Sequence, residues 1–150
     1  MIIPKLTIIV FGILLASCGG LYVREFERTV TATKVPAANA CGPWKGAWKS
    51  EVNGHTGPLW CLIRPDDDQA DRFHFRYRAG WGWFRFGDYD HAVEGRMDAK
   101  GTLRLRGGME LPGGLGVYHV DGAVTRSAFV AKYQSAHDRG SIILSRPEPN

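Results

Sequence analysis

Apolar and polar residues alternate one by one along several short segments of this chain. In Arg72–Ala79, for example, Phe73, Phe75 and Tyr77 alternate with basic and other polar side chains. A period of two is that of a β-strand with one buried face, whereas an amphipathic helix repeats every 3.6 residues. No segment after Cys41 shows a long helical period. The pattern therefore predicts an all-β domain.

Turn-forming residues divide this domain into short strands. Clusters of Gly, Pro, Asn and Asp, such as Asn53–Gly57 and Asp98–Gly101, recur at short intervals. These residue types favour tight turns, and short connections join antiparallel neighbours. The predicted strands are Pro43–Ser50, Leu59–Arg64, Arg72–Ala79, Trp83–Gly87, His91–Met97, Thr102–Arg106, Gly116–Thr125, Ala128–Gln134 and Ser141–Ser145.

Eight to nine strands of this kind predict a closed sheet. An antiparallel meander of this size has to protect its edge strands, and closure into a barrel removes the edges altogether. We therefore expect a single antiparallel up-and-down β-barrel of about eight strands, lipocalin-like in the broad sense, with a β-sandwich as the alternative. The interior of such a barrel is either filled by side chains or holds one small ligand.

The first residues of the chain have the layout of an export signal. Lys5 supplies a positive start, Leu6–Leu15 is an apolar run, and the small residues Ala16 and Ser17 precede Cys18. A secretory signal peptide has this order of regions. The apolar run is shorter than the ~20 residues that a membrane-spanning helix needs.

The stretch Leu15–Cys18 resembles the lipobox of bacterial lipoproteins. The resemblance implies that residues 1–17 are cleaved as a signal peptide. It also implies that Cys18 carries a diacylglyceryl group on its sulfur and an acyl chain, such as palmitate, on its amine; two or more chains anchor a protein stably to a membrane. Gly19 rather than Asp after the cysteine implies the outer membrane, facing the periplasm, if the host has two membranes. The alternative is an ordinary signal peptide with an incidental cysteine.

The rest of the chain divides into a tether, a domain and a tail. Residues 18–40 are predicted to be the lipidated cysteine and a flexible tether, within which Leu21–Thr33 could form a transient helix or an extra strand. Residues 41–146 form the predicted barrel domain. Residues 147–150, with two prolines, are predicted to be a loose tail.

Two further cysteines, Cys41 and Cys61, would lie in an oxidising compartment. We expect them to form a disulfide, which in the chain-entropy model stabilises the fold by roughly 3 kcal/mol for a loop of about 20 residues. The alternative is a pair of buried thiols. The chain has no Cys-x-x-Cys motif, so neither a redox site nor a zinc site is predicted.

The charge of the chain is mildly basic. Removal of residues 1–17 takes away Lys5 and lowers the basic count from 19 to 18, against 15 acidic residues. This excess favours adhesion to anionic lipid but is too small and dispersed for a nucleic-acid interface. A basic stripe lies opposite the aromatic face of its strand and comprises Arg72, Arg76 and Arg78, with Arg104 and Arg106 as further members. It is predicted to be either a solvated outer face or a docking surface for an anionic envelope component.

Aromatic residues dominate the face that is predicted to point inward. Trp44 and Trp48 share a face with Gly46 between them. Many calycin barrels begin with Gly-x-Trp on the first strand, where the Trp plugs one end. The candidate residues for such a plug, or for a ligand-binding aromatic wall, are Trp44, Trp48, Phe73, Phe75 and Tyr77.

The domain also resembles an uncharacterised family of secreted bacterial β-sheet proteins. The motifs that carry the resemblance are the Trp-x-Gly-x-Trp-x-Ser opening at Trp44–Ser50, the Asn-Gly-His-x-Gly turn at Asn53–Gly57, the Phe-x-Ala-x-Tyr-x-Ser strand at Phe129–Ser135 and the Asp-x-Gly turn at Asp138–Gly140. The resemblance covers most of residues 41–146 and implies a common fold. It implies no activity.

Motifs for catalysis or metal binding are missing from the sequence. The five histidines are dispersed, without a His-x-His or His-Glu-x-x-His pair, and no Gly-x-Ser-x-Gly motif occurs. We therefore expect no catalytic residue, no metal, no cofactor and no nucleic-acid partner. The leading hypothesis is a lipid-anchored, non-catalytic binding module for a small apolar ligand or an envelope protein. The alternative is an inhibitor of an external enzyme such as a lysozyme or a protease, acting through Gly54–Pro58 or Pro112–Gly116; an enzyme on a barrel scaffold comes third.

Overall fold

The computed structural model describes residues 20–34, 37–110 and 116–148, apart from the side chains of residues 84, 86–89 and 109. The predicted signal peptide 1–17, the lipidation site Cys18 and most of the Pro112–Gly116 loop lie outside these residues. A helix, α1, spans 20–32. Eight strands follow: β1 (Gly42–Ser50), β2 (Thr56–Pro65), β3 (Arg72–Trp81), β4 (Phe84–Met97), β5 (Leu103–Glu110), β6 (Val117–Val124), β7 (Ala128–Gln134) and β8 (Arg139–Ser145).

The eight strands form a closed antiparallel barrel in sequence order. Each strand pairs with the next, and β8 returns to pair with β1. The predicted up-and-down barrel is confirmed, and the β-sandwich alternative is wrong. The segments Trp83–Gly87 and His91–Met97, predicted as separate strands, belong to the single strand β4, because residues 89 and 90 stay paired with Tyr77 and Arg76 of β3.

Aromatic side chains pack the interior at the end where β1 begins, which we call the closed end. Phe129 lies between Trp44 and Phe75, with edge-to-face ring contacts at centroid distances of 6.1 and 6.0 Å. Aromatic pairs of this geometry contribute about 0.5–1.5 kcal/mol beyond their buried area. Leu103, Val124 and other aliphatic side chains complete a core that spans all eight strands.

Glycines allow β1 and β8 to close the barrel. A Cβ atom at Gly46 would lie 2.2 Å from the carbonyl oxygen of Ile143, and one at Gly140 would lie 1.9 Å from that of Lys49. Both contacts are with backbone that cannot move aside without opening the β1–β8 ladder. The glycines of the Trp-x-Gly-x-Trp and Asp-x-Gly motifs are therefore requirements of barrel closure.

The ladder between β4 and β5 is short. Among the described residues, β4 pairs with β5 only over Gly95–Met97. By contrast, β5 pairs with β6 along its whole length, Leu103–Glu110. Beyond these three pairs, the described contacts between the two strands include that of Val93 with Gly107.

Residues 20–32, predicted to belong to a flexible tether, instead form a helix packed on the outside of the barrel. Tyr22, Phe26 and Val30 are spaced by four residues and form one face of α1. Tyr22 and Phe26 are 1% and 8% exposed and pack with Leu62 and Trp60 of β2. The helix is one of the two forms considered for Leu21–Thr33, and its packing on the barrel was not predicted. In the described part of the chain, no helix has the length and apolarity to cross a membrane.

The predicted disulfide is absent, because both Cys41 and Cys61 are free thiols. Cys61 lies opposite Trp44 in the β1–β2 register, and Cys41 is three residues before Trp44. At about 3.3 Å per residue this offset is about 10 Å, which exceeds the Cα separation of about 7 Å that a disulfide tolerates. The second reading of these residues, as two thiols, is the one that the structure supports.

Candidate functional site

Arg146 and Trp44 seal the closed end of the barrel. The Arg146 Cζ lies 3.8 Å from the centroid of the Trp44 ring. Its guanidinium donates hydrogen bonds to the carbonyl oxygens of Asn39 and Cys41, at 2.6 and 2.9 Å, and Trp44 Nε1 donates to the carbonyl of Ala40 at 3.0 Å. Trp44 is fully buried. This arrangement leaves no entry for a ligand at this end.

The opposite end of the barrel, which we call the mouth, is more open. Inward-facing side chains near the closed end are buried, as at Phe73 and Phe75. Inward-facing side chains towards the mouth are only partly buried. These partly buried residues are Trp48, Tyr77, Ala79 and Tyr118, and the ring of Tyr133 stacks on Tyr118 with 5.6 Å between centroids. The described inward-facing residues near the mouth are therefore mostly aromatic and only partly buried.

Trp48 is fixed in the wall of the mouth by a hydrogen bond that passes over β2. Its Nε1 donates to the carbonyl oxygen of Gly80 in β3 at 3.0 Å. Gly57 lies between them, and a Cβ there would be 2.9 Å from Trp48 Nε1 and 1.8 Å from the Gly80 oxygen. The missing side chain at Gly57 is thus what lets the indole reach β3.

The polar groups lining this region are uncharged at neutral pH. Tyr77 is hydrogen-bonded to the Cys61 thiol, and burial raises the pKa of both groups well above their ordinary values. Burial also raises the pKa of Tyr118. A neutral, aromatic lining with hydroxyl groups suits an uncharged or weakly polar ligand.

His91 is a buried polar residue without a satisfied hydrogen bond. It is 4% exposed, and neither ring nitrogen has a hydrogen-bond partner of normal geometry, although the backbone of Gly108 lies beside the ring. Burial lowers its pKa, which leaves the imidazole neutral. In the strand register it lies opposite Phe75, one position deeper in the barrel than Tyr77. An unpaired buried donor or acceptor lowers the stability of the fold by about 1–3 kcal/mol, so a hydrogen-bond partner for the ring would be stabilising.

His91 was predicted as the first residue of a strand, and the sequence did not single it out among the five histidines. One signal was present: His91 is two residues from Val93, an inward-facing core residue of the same strand. Alternation along β4 would have placed the imidazole on the inner face.

A second polar cluster ties β1, β7 and β8 together at the mouth. Asp138 accepts hydrogen bonds from Ser50 Oγ at 2.6 Å and from the Tyr133 hydroxyl at 2.9 Å. Burial, together with Asp138, raises the pKa of Tyr133. These residues come from the Trp-x-Gly-x-Trp-x-Ser, Phe-x-Ala-x-Tyr-x-Ser and Asp-x-Gly motifs, whose shared role in the structure is to join strand ends.

The basic stripe on the outer face is largely paired with carboxylates. Glu25 of α1 forms ion pairs with Arg76 and with Arg64, the latter at 3.6 Å. His74 lies between Asp90 and Asp66, at 3.0 and 2.9 Å. Hydrogen bonds that the His74 ring donates to Asp90 and to Asp66 raise the pKa of His74. This network joins α1 to the barrel, and α1 covers part of the surface that the alternation placed in solvent.

Large apolar side chains are exposed around the mouth. Trp81 is 49% and Trp83 is 83% exposed at the β3–β4 connection, with Val52 exposed on the β1–β2 connection and Val117 at the start of β6. The His55 ring lies 5.1 Å from that of Trp81. Most of Gly54–Pro58, predicted as a protruding loop, belongs to β2. The tryptophans, rather than that loop, form the prominent feature of the rim.

The described residues hold no candidate metal centre. No group of three or more His, Cys, Asp or Glu side chains within them is placed to hold a metal ion. No family model matches the chain, and no match was found among curated proteins or solved structures. The resemblance to secreted bacterial β-sheet proteins stays a prediction.

Proposed function

We propose that this protein is a lipid-anchored, non-catalytic binding module of the cell envelope, whose mouth receives a small ligand. The observation that carries the proposal is His91, a buried and unpartnered imidazole beneath a partly exposed aromatic lining. The ligand class that fits is an apolar molecule with one hydrogen-bonding group. Its apolar part would contact Trp48, Tyr77 and Tyr118, and its polar group would pair with the imidazole.

The cellular location is part of the same proposal. The lipobox at Leu15–Cys18 supports cleavage before Cys18, acylation of that cysteine with chains such as palmitate, and retention at a membrane. Gly19 supports the outer membrane, facing the periplasm, in a host with two membranes. Replacement of Cys18 by Ala should release the protein from the membrane fraction, and a variant that still sediments with membranes would contradict the anchor.

Ligand binding is tested on the full lipidated protein, purified gently from its host membrane. Native mass spectrometry should show a retained small mass. Titration with the apolar fluorophore N-phenyl-1-naphthylamine should give saturable binding. Ala79→Trp fills the mouth and should weaken probe binding at least about tenfold. Ala47→Trp adds the same side chain to the exposed face of β1 and serves as the matched control.

Two results would contradict ligand binding. If no mass is retained and the fluorophore shows no saturable binding, the mouth is closed and the proposal fails. Equal losses in Ala79→Trp and Ala47→Trp would also contradict it, because the effect would then follow from the added indole and not from its position.

A second candidate function is inhibition of an external hydrolase such as a lysozyme or a protease. The exposed rim residues Trp81 and Trp83 favour it, because clustered exposed apolar side chains mark interaction surfaces. Inhibition assays with both enzyme classes test it. Trp83→Ala should abolish inhibition, whereas Ile143→Ala, at an exposed apolar residue of β8, should leave it unchanged. No inhibition by the native protein at any concentration tested would dismiss this candidate.

A further inference from the structure

The outward face of α1 combines exposed apolar and basic residues. Leu21 is 63% and Val23 is 39% exposed, both in the first turn of the helix. Arg24 and Arg28 follow on the exposed surface, with the exposed Glu27 beside them. Leu21, Arg24 and Arg28 are spaced by three and four residues, so they lie on one side of the helix. Apolar side chains beside arginines are the composition of a helix face that rests on an anionic membrane.

The helix has a fixed position on the barrel. The Tyr22 hydroxyl donates to the carbonyl oxygen of Arg76 at 3.3 Å, and the Arg76 guanidinium lies 5.2 Å from the Tyr22 ring centroid. Glu25 adds the ion pairs to Arg64 and Arg76. Any surface that binds α1 therefore orients the whole barrel.

A groove between α1 and the barrel extends the basic surface. It has a volume of about 600 Å³, and its apolar part is formed by Val23, Phe26 and Trp60. Lys45, Arg78 and Arg85 line the barrel side, and the acids that line the groove are Glu27 and Glu148. With Arg24 and Arg28, five basic residues thus surround two acidic ones. The groove suits an anionic headgroup whose chain lies on the apolar part.

The chain leaves little distance between this surface and the anchor. Gly19 is the single residue between Cys18 and the start of α1 at residue 20. At ~3.5 Å per residue, the first turn of α1 lies within ~10 Å of the Cys18 backbone. A lipidated Cys18 would place Leu21 and Val23 at the membrane surface.

We propose that this surface, formed by the outward face of α1 and the α1–barrel groove, lies on the membrane and contacts anionic lipid headgroups. The inference rests on the proposed lipidation of Cys18. It goes further by giving the barrel one orientation, with β2 and β3 beneath α1 towards the lipid and β7 away from it. The occupant is the anionic lipid of the membrane that holds the anchor, because the surface is basic and adjoins the anchor.

The test uses the full lipidated protein in vesicles of phosphatidylcholine mixed with phosphatidylglycerol. A photo-reactive p-benzoylphenylalanine replaces Leu21 in one variant. In the matched control it replaces Val130, which is 52% exposed on β7. Irradiation should attach lipid at position 21 and not at position 130. Equal labelling at both positions, or stronger labelling at position 130, would overturn the orientation.

Charge variants test whether the contact is with anionic headgroups. In the position-21 background, Arg24→Glu with Arg28→Glu should lower the yield of lipid adducts several-fold, because each basic residue near an anionic surface favours binding. Lys100→Glu with Lys132→Glu changes the net charge equally at exposed positions away from α1 and should leave the yield unchanged. Equal losses in the two double variants would overturn the surface as the binding element.

The experiments distinguish a failure of the proposed lipidation from a failure of the proposed orientation. If the native protein is absent from the membrane fraction, the proposed lipidation fails. If the native protein is in the membrane fraction but position 21 does not label lipid, the lipidation stands and the orientation is overturned.

Discussion

Arg146 holds three separate chain segments together while it covers the ring of Trp44. Its Cζ lies 3.8 Å from the ring centroid. Its guanidinium donates to the carbonyl oxygens of Asn39, Cys41 and Arg126, which come from the segment before β1 and from the β6–β7 connection. Burial lowers the pKa of Arg146 to about 10, so the group stays charged at neutral pH. Hydrogen bonds from a charged donor are about twice as strong as those between neutral groups.

Replacement of Arg146 should therefore destabilise the barrel more than that of an exposed arginine. For Arg146→Ala we expect the free energy of unfolding to fall by about 3 kcal/mol, because hydrogen bonds and a desolvated cation–π contact are lost. Arg146→Lys should lose less, since it keeps the charge but not the planar donor set. Urea unfolding measures both. Arg104→Ala, on the exposed face of β5, is the control and should change stability by less than about 0.5 kcal/mol.

Gly46→Ala should weaken the β1–β8 ladder. The added Cβ would lie 2.2 Å from the carbonyl oxygen of Ile143 and 2.8 Å from the Cα of Leu144. We expect a loss of about 1–3 kcal/mol or more in the free energy of unfolding, the usual range for overpacking. Thermal unfolding with Gly20→Ala as the control checks this, because a Cβ at Gly20 meets no atom within 4 Å. A melting temperature equal to that of the native protein would contradict the role given to Gly46.

The two barrel cysteines should behave as unreactive thiols. Burial raises the pKa of Cys41 and raises that of Cys61 further, so little thiolate forms at neutral pH. We expect iodoacetamide to modify Cys61 only after unfolding, and mass spectrometry of the unfolded, unreduced protein should show both residues alkylated. Recovery of a Cys41–Cys61 cross-linked peptide would show instead that the disulfide forms.

His91 should make the fold less stable in mild acid. Its pKa is lowered by burial, while the unfolded chain has the ordinary value near 6.5. As the pH falls from about 7 to 5 the unfolded state binds a proton that the folded state does not, so the free energy of unfolding declines. His91→Leu should remove this part of the decline, measured by urea unfolding across that range. His137→Leu, in the exposed β7–β8 turn, should keep the native slope.

His74 acts in the opposite direction. Its pKa is raised by the hydrogen bonds that its ring donates to Asp90 and Asp66. The stabilisation it provides is complete below the unfolded pKa of about 6.5 and is lost as the pH rises through the folded value. His74→Asn should therefore destabilise the protein more at about pH 5.5 than at pH 9. Equal losses at the two pH values would show that the charge of His74 contributes nothing.

The barrel was predictable from the sequence because several of its strands show the two-residue alternation of apolar and polar residues. In β3 and β7, inward residues such as Phe75 and Phe129 alternate with polar ones, and glycine-rich turns bound the strands. This alternation can be recognised within one strand, because it does not depend on which strands pair with it. The sequence predicted two strands in place of β4, with residues 88–90 between them, although Asp90 pairs with Arg76 in the β3–β4 ladder and contacts His74 and Arg64.

The positions of α1 and of the site residues depended on contacts between distant segments. A helix of this length is marginal in isolation, and it is the packing of Tyr22 and Phe26 on Leu62 that holds it. The same holds for Cys41, whose distance from Cys61 is set by the β1–β2 register. Trp44 was foreseen as a plug, but nothing local to Arg146 indicated that it would cover the indole.

The short β4–β5 ladder determines which part of the barrel opens most easily. Among the described residues, each of the other seven strand pairs has six or more paired positions, whereas β4 and β5 pair only over Gly95–Met97. Amide protons above that point should exchange with solvent sooner than those of the other seams, because opening there breaks the fewest bonds. The barrel stays closed there, with Gly107 of β5 against Val93 of β4, and His91 lies in the part of β4 that would be exposed first.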